Sequence, residues 1–133
     1  MIAAQADLVE QARMAQARAH APYSGYRVGA ALEAEDGRVF TGCNVENASY
    51  SVTCCAERVA LFTAIAAGAR GFRRLVVAAD GRRPYPCGAC RQALSEFADA
   101  LPIVVVGNDG SRQEYDLADL LPHPFVLRGE LPA

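Results

Sequence analysis

Apolar positions along the chain alternate between helical and strand-like spacing, and the changes mark out its elements. Residues 2–19 contain no Gly or Pro and are rich in Ala, Gln, Glu and Arg. Ile2, Ala6, Leu8, Val9, Ala12 and Ala15 form an apolar stripe there, so the segment predicts an amphipathic helix. "HAPYSGY" then breaks it through Pro22 and Gly25. Strand-like runs on either side of "EDG" predict a β-hairpin pairing residues 28–33 with 38–43. An irregular "NVENASYSVTC" leads into "CAERVALFTAIAAGA", a helix ending at Gly68. Next come a short buried strand "RRLVVAA", a loop "DGRRPYPCG", a helix "ACRQALSEFADAL" and a buried strand "PIVVVG". A turn "NDGS", a weaker strand "RQEYDL" and a short helix "LADLLP" precede a Pro-rich tail.

Strands alternating with helices in the middle of the chain require crossover connections, which places the protein in the α/β class. The order α-β-β-α-β-α-β-β predicts a mixed five-stranded sheet with helices on both faces, a three-layer α/β/α arrangement. No repeat, linker or low-complexity segment interrupts the 133 residues, so they read as one domain, 1–133. At 52% apolar residues, such a chain can bury roughly two-thirds of its unfolded surface without disulfide staples.

Charge narrows the partners. A net charge of -2 gives no electrostatic footprint for nucleic acid, and the arginine pairs Arg73-Arg74 and Arg82-Arg83 read as solvated loop positions. No run approaches the roughly 18 apolar residues that a membrane helix needs. The N-terminal stretch, with Asp7 and Glu10, lacks the basic and apolar regions of a secretory peptide, so the expectation is cytoplasmic. Five cysteines in such a chain point to metal binding or catalysis before a disulfide framework.

Two cysteine clusters carry the chemistry, Cys55-Ala56-Glu57 and Pro86-Cys87-Gly88-Ala89-Cys90. Each falls where a loop becomes a helix, and the N–H groups and positive dipole end of a helix start favour a thiolate. Two such ends meeting at one point would present three thiolates to a tetrahedral-preferring cation. Zinc fits, and three protein ligands leave a fourth position for water, as in a catalytic site. A thioredoxin-like redox pair would use "CGAC" but leave Cys55-x-Glu57 unexplained. A closed structural site wants a fourth ligand, for which Cys54 or Cys43 are candidates; His20 and His123 lie outside any ligand spacing. The order C-x-E then P-C-x-x-C is the signature of zinc deaminases with three cysteine ligands, in which the glutamate is not a ligand.

The blocks "PYSGYRVGAAL", "GCNVENASYSVTCCAER", "PCGACRQALSEF" and "DLLPHPF" cover nearly the whole chain. In this order they resemble the small homotetrameric cytidine deaminases of pyrimidine salvage, within the cytidine/deoxycytidylate deaminase family. The resemblance implies one zinc ion per subunit held by Cys55, Cys87 and Cys90, with Glu57 as proton shuttle. It implies that Asn44 and Glu46 grip the ribose hydroxyls and that Tyr26, where the family usually has Phe, packs on the pyrimidine. Ala56 is a further implied substrate contact. Ala48 and Tyr50 resemble a segment that reaches the nucleoside of a neighbouring subunit. Phe125 matches an aromatic contributed across a subunit boundary, a plug for the C-terminal core being the alternative. Tyr85 stands where the family often has Ser.

The implied reaction is hydrolytic deamination of cytidine and deoxycytidine to uridine and deoxyuridine plus ammonia, with zinc-bound hydroxide attacking C4. Three thiolates leave zinc with a net charge near -1, which opposes acidification of its water. Arg58, one residue past Glu57, is placed to draw charge from the sulfurs by hydrogen bonding. Its alternative role is a surface salt bridge. Among rival activities, a blasticidin-type aminonucleoside deaminase shares the zinc motifs, a nucleic-acid-editing deaminase would want basic patches, and a zinc-dependent interaction module would leave Glu57 expendable.

Overall fold

A computed structural model describes residues 2–81 and 84–127, with side chains from Asp7 onward. Arg82, Arg83, Ile2 and Ala6, named above, have side chains outside the described set. The predicted N-terminal helix is α1, Ile2–Gln16. It stops three residues short of the expected end because the next turn tightens: Arg18 and Ala19 N–H donate to the carbonyls of Ala15 and Gln16, three residues back. The hairpin is β1, Val28–Ala34, paired antiparallel with β2, Val39–Cys43. Gly37 turns it at φ +93°, a conformation that residues with a Cβ rarely adopt.

After a single 3-10 turn, Tyr50–Val52, comes α2, Ala56–Ala66, followed by β3, Phe72–Ala79. Helix α3, Gly88–Ser95, carries the chain to β4, Pro102–Val106, and β5, Arg112–Asp116, runs into a one-turn helix α4, Leu117–Leu120. The expected second helix thus ends well before Leu101. Phe97 N–H donates to Leu94 O in a tightened turn, and Phe97 and Ala98 pack on the core as the chain swings back towards β4.

The sheet order is β2-β1-β3-β4-β5, parallel only between β3 and β4 and antiparallel elsewhere, which confirms the mixed five-stranded sheet. Alternation along the strands divides the core into two layers. Ala31, Val76, Ala78, Val104 and Val106 face α1 through Leu8, Val9 and Ala12. Ala30, Leu32, Leu75, Val77, Ile103 and Val105 face Ala60, Leu61 and Ala64 of α2 and Leu94 of α3. Because α3 is the crossover between parallel strands, it lies on the same face as α2, and the starts of the two helices become neighbours.

Close approach of helix to strand sets the position of α2. A Cβ on Gly42 would lie 2.5 Å from Ala60 N and 2.6 Å from Ala56 O, so the first turns of α2 rest on bare β2 backbone. A methyl group there must push backbone, and overpacking of this kind costs about 1–3 kcal/mol. Gly42→Ala is therefore expected to lower the melting temperature by several degrees in a thermal scan, and an unchanged midpoint would contradict this packing.

Candidate active site

Cys55 and Cys87 occupy the same position on different helices. Each is the N-cap residue, with extended backbone (φ -72°, ψ 154° and φ -69°, ψ 167°), and neither side chain caps its own helix. Both sulfurs are therefore available to turn outward from a helix start. The third residue of a helix points back over its N-cap. In α3 that residue is Cys90, whose sulfur lies 3.5 Å from that of Cys87. In α2 it is Arg58, whose Nη2 donates to the Cys55 sulfur at 3.5 Å. The spacings C-x-x-C and C-x-x-R are thus one geometric device used twice.

The Cys55 and Cys87 sulfurs lie 3.7 Å apart, and all three sulfurs fall within 4.8 Å of one another. A tetrahedral zinc with bonds of about 2.3 Å spaces its sulfurs about 3.8 Å apart, so this donor set fits zinc by size as well as by softness. All five cysteines are free thiols. Cys43 and Cys54 stand outside the cluster, as do both histidines and Glu57. Among the described residues, the fourth protein ligand that a closed structural site requires is missing.

Electrostatics match this geometry. The Cys55 thiol is held down to about 5 chiefly by the hydrogen bond from Cys90, helped by Arg58 and Cys87 and opposed by burial. Cys90 is pushed the other way, because it donates to Cys55 and is buried. The Arg58 guanidinium is held charged by its bond to the Cys55 sulfur. Cys54, next in sequence, is raised mainly by burial and stays a thiol. Glu57, only 4% exposed in the first turn of α2, has its carboxyl pushed up to about 7 by burial, with the Cys55 charge adding to the effect.

Cys54, Cys55, Glu57 and Cys87 line one cavity of about 790 Å³, which also touches Tyr26, Asn44, Glu46 and Ala56, while Cys90 and Arg58 lie behind its wall. Asn44 is buried and braces the wall: its Oδ1 accepts from Val28 N–H at 2.8 Å and its Nδ2 donates to Tyr26 O at 2.8 Å. The Glu46 carboxylate is wrapped by the "YSG" loop. It accepts from Tyr23 and Ser24 N–H at 2.9 and 3.1 Å and from the Ser24 hydroxyl. That hydroxyl is the chief reason its pKa lies below the ordinary carboxylate value. Of the site residues singled out in the sequence, Cys90 and Arg58 sit beside the cavity through their contacts with Cys87 and Cys55, and Ala48, Tyr50 and Phe125 do not reach it. Tyr50 and Phe125 are 77% and 69% exposed, so Phe125 plugs no core in this chain.

Two cavity residues, Asp109 and Ser111, carried no signal in sequence, whereas Tyr85 stood out by its departure from the family's Ser. Asp109 and Ser111 arrive because the turn after β4 packs on the end of β3, where Asn108 N–H donates to Gly81 O at 3.3 Å. Tyr85 borders the cavity with its hydroxyl 3.3 Å from that of Tyr115 on β5, the two rings 5.5 Å apart. Ser24 was findable as a hydroxyl before Gly in a turn, and it does accept from Tyr26 N–H at 3.0 Å.

Known proteins resemble this chain over most of its length. Residues 3–107 match the cytidine and deoxycytidylate deaminase zinc-binding region. A cytidine deaminase of Sporosarcina psychrophila is 46% identical over 120 residues, covering 89% of this chain and 88% of that protein. One from Halalkalibacterium halodurans is 48% identical over 121 residues, covering 90% and 92%. The crystal structure of cytidine deaminase from Burkholderia pseudomallei superposes with a TM-score of 0.87 at 46% identity, covering 90% of this chain and 98% of that one. With its three sulfurs at two helix starts and a match over most of its length, the chain belongs to the cytidine and deoxycytidylate deaminase family of zinc-binding enzymes.

Proposed function

We propose that the protein catalyses the zinc-dependent hydrolysis of cytidine and deoxycytidine to uridine and deoxyuridine, releasing ammonia, in pyrimidine salvage. The observation that carries this reading is the buried carboxyl of Glu57 on the same cavity as Cys55 and Cys87, two of three clustered sulfurs, without being one of their cluster. Cys55, Cys87 and Cys90 would hold the zinc, which when bound would supply the Lewis acidity that makes water a nucleophile near neutral pH. Glu57 would take one proton from the attacking water at its carboxylate and pass it to ring N3. It would then take the second proton from the new C4 hydroxyl and give it to the departing amine, leaving a C4 carbonyl and ammonia. A carboxyl raised to about 7 by burial suits a group that must both accept and donate near neutrality.

Arg58 draws charge off the Cys55 sulfur through its hydrogen bond, offsetting the negative charge that three thiolates bring. Its guanidinium faces the sulfurs, which favours this role over a surface salt bridge. The Tyr26 ring packs on the pyrimidine, beside Ala56, while Asn44 and Glu46 meet the ribose hydroxyls. All four residues border the cavity, which supports these assignments. A neighbouring subunit supplies Phe125 and the segment with Ala48 and Tyr50, in a homotetramer. Exposed Tyr50, Phe62 and Phe125 support such an assembly. Among the described residues no helix is long and apolar enough to cross a membrane, in keeping with a cytoplasmic enzyme that acts on free nucleosides and not on nucleic acid.

Ammonia or uridine release from cytidine tests the reading directly. Glu57→Gln is expected to keep zinc and fold while turnover falls by about 10²–10⁴-fold, the usual value of a positioned acid/base. An active Glu57→Gln protein would overturn the assignment. In metal analysis, Cys54→Ala is expected to retain one zinc per chain and Cys55→Ala to lose it; equal zinc content in the two would place the ligand elsewhere. Arg58→Ala is expected to bind zinc but turn over more slowly with an altered pH–rate profile, and an unaltered profile with full turnover would refute its role.

A further inference from the structure

The exposed tail that follows α4 is tied to the sulfur-bearing helix by two adjacent side chains. Arg91 of α3 donates through Nε to Pro86 O at 2.8 Å and through Nη1 to Leu120 O at 2.9 Å. One residue on, Gln92 engages the main chain of Phe125 from both sides. Its Nε2 donates to Phe125 O at 2.9 Å, and its Oε1 accepts from Phe125 N–H at 3.0 Å. A side-chain amide that exchanges both bonds with one residue imitates a rung of an antiparallel ladder. It fixes the height and the rotation of that residue's backbone together.

Side-chain packing does not do this work. Phe125, Val126 and Leu127 are 69%, 57% and 47% exposed, and residues 121–127 form no regular element. We infer that Gln92 is a positioning residue: its two-point clamp sets where the Phe125 ring stands when it enters the nucleoside site of a neighbouring subunit. The inference rests on the proposed trans placement of Phe125. It adds that the ring is registered to α3, the helix that carries Cys87 and Cys90, so one rigid element positions a zinc site and the aromatic lent to another.

The test uses the zinc-loaded full chain with steady-state kinetics on cytidine, zinc content being checked in every variant. Phe125→Ala is expected to raise KM roughly tenfold through the lost aromatic contact. Gln92→Ala should raise KM by roughly three- to tenfold, kcat staying within about twofold, as fits two lost hydrogen bonds outside the reacting centre. Gln92→Glu should fall between wild type and Gln92→Ala, since a carboxylate accepts from Phe125 N–H but cannot donate to its carbonyl. It also serves if Gln92→Ala fails to fold. In a Phe125→Ala background, Gln92→Ala should add no further loss. An impaired Phe125→Ala beside Gln92 variants of normal KM would overturn the clamp alone. A normal KM for Phe125→Ala would overturn the trans placement and the clamp with it. Additive losses, or a fall in kcat with KM unchanged, would show that Gln92 acts elsewhere.

Discussion

Three cysteine sulfurs held within 4.8 Å of one another would repel as thiolates, and the fold must oppose that repulsion before any metal does. It does so by making two helices begin at the same place. Each start contributes free N–H groups and a partial positive charge, and each N-cap side chain is left to point away from its own helix. The parallel crossover from β3 to β4 puts α3 on the same face as α2, and Gly42 lets α2 settle onto β2. Without either contribution the third sulfur would not join the pair on α3.

Around that cluster, burial and charge divide the labour among neighbours. Arg58 reaches back from the third helical position to Cys55, as Cys90 reaches back to Cys87, so a cation stands on one helix where a ligand stands on the other. Glu57 lies between, in the first turn and almost fully buried, where burial keeps its proton within reach of neutral pH. Cys54 precedes the cap and is held as a thiol by the same burial. Adjacent cysteines therefore differ because only one of them ends a loop and starts a helix.

The hairpin and the five strands were legible in sequence because alternation and a turn glycine are local rules. The sulfur cluster was legible through its two cysteine motifs, although only Cys87 and Cys90 meet by local reach. The end of α3 was not, since Phe97 and Ala98 continue a helix-like pattern but are drawn off to pack on the core. The grip of the "YSG" loop on Glu46 was also hidden, because it joins residues 22 and 23 positions apart through backbone N–H groups. The same holds for Asp109 and Ser111, which reach the cavity through strand order alone. Phe125 was recognisable by family likeness, whereas the amide that clamps it lies 33 residues away with no motif linking the two.

The proposed reaction depends on a metal site with three sulfur ligands and one position left open. X-ray absorption at the zinc edge of the metal-loaded protein measures that directly. The account predicts three sulfur neighbours at about 2.3 Å and one lighter atom, oxygen or nitrogen, at about 2.0 Å. Four sulfurs around the metal would contradict it, since a closed site of that kind has no place for water and no use for Glu57.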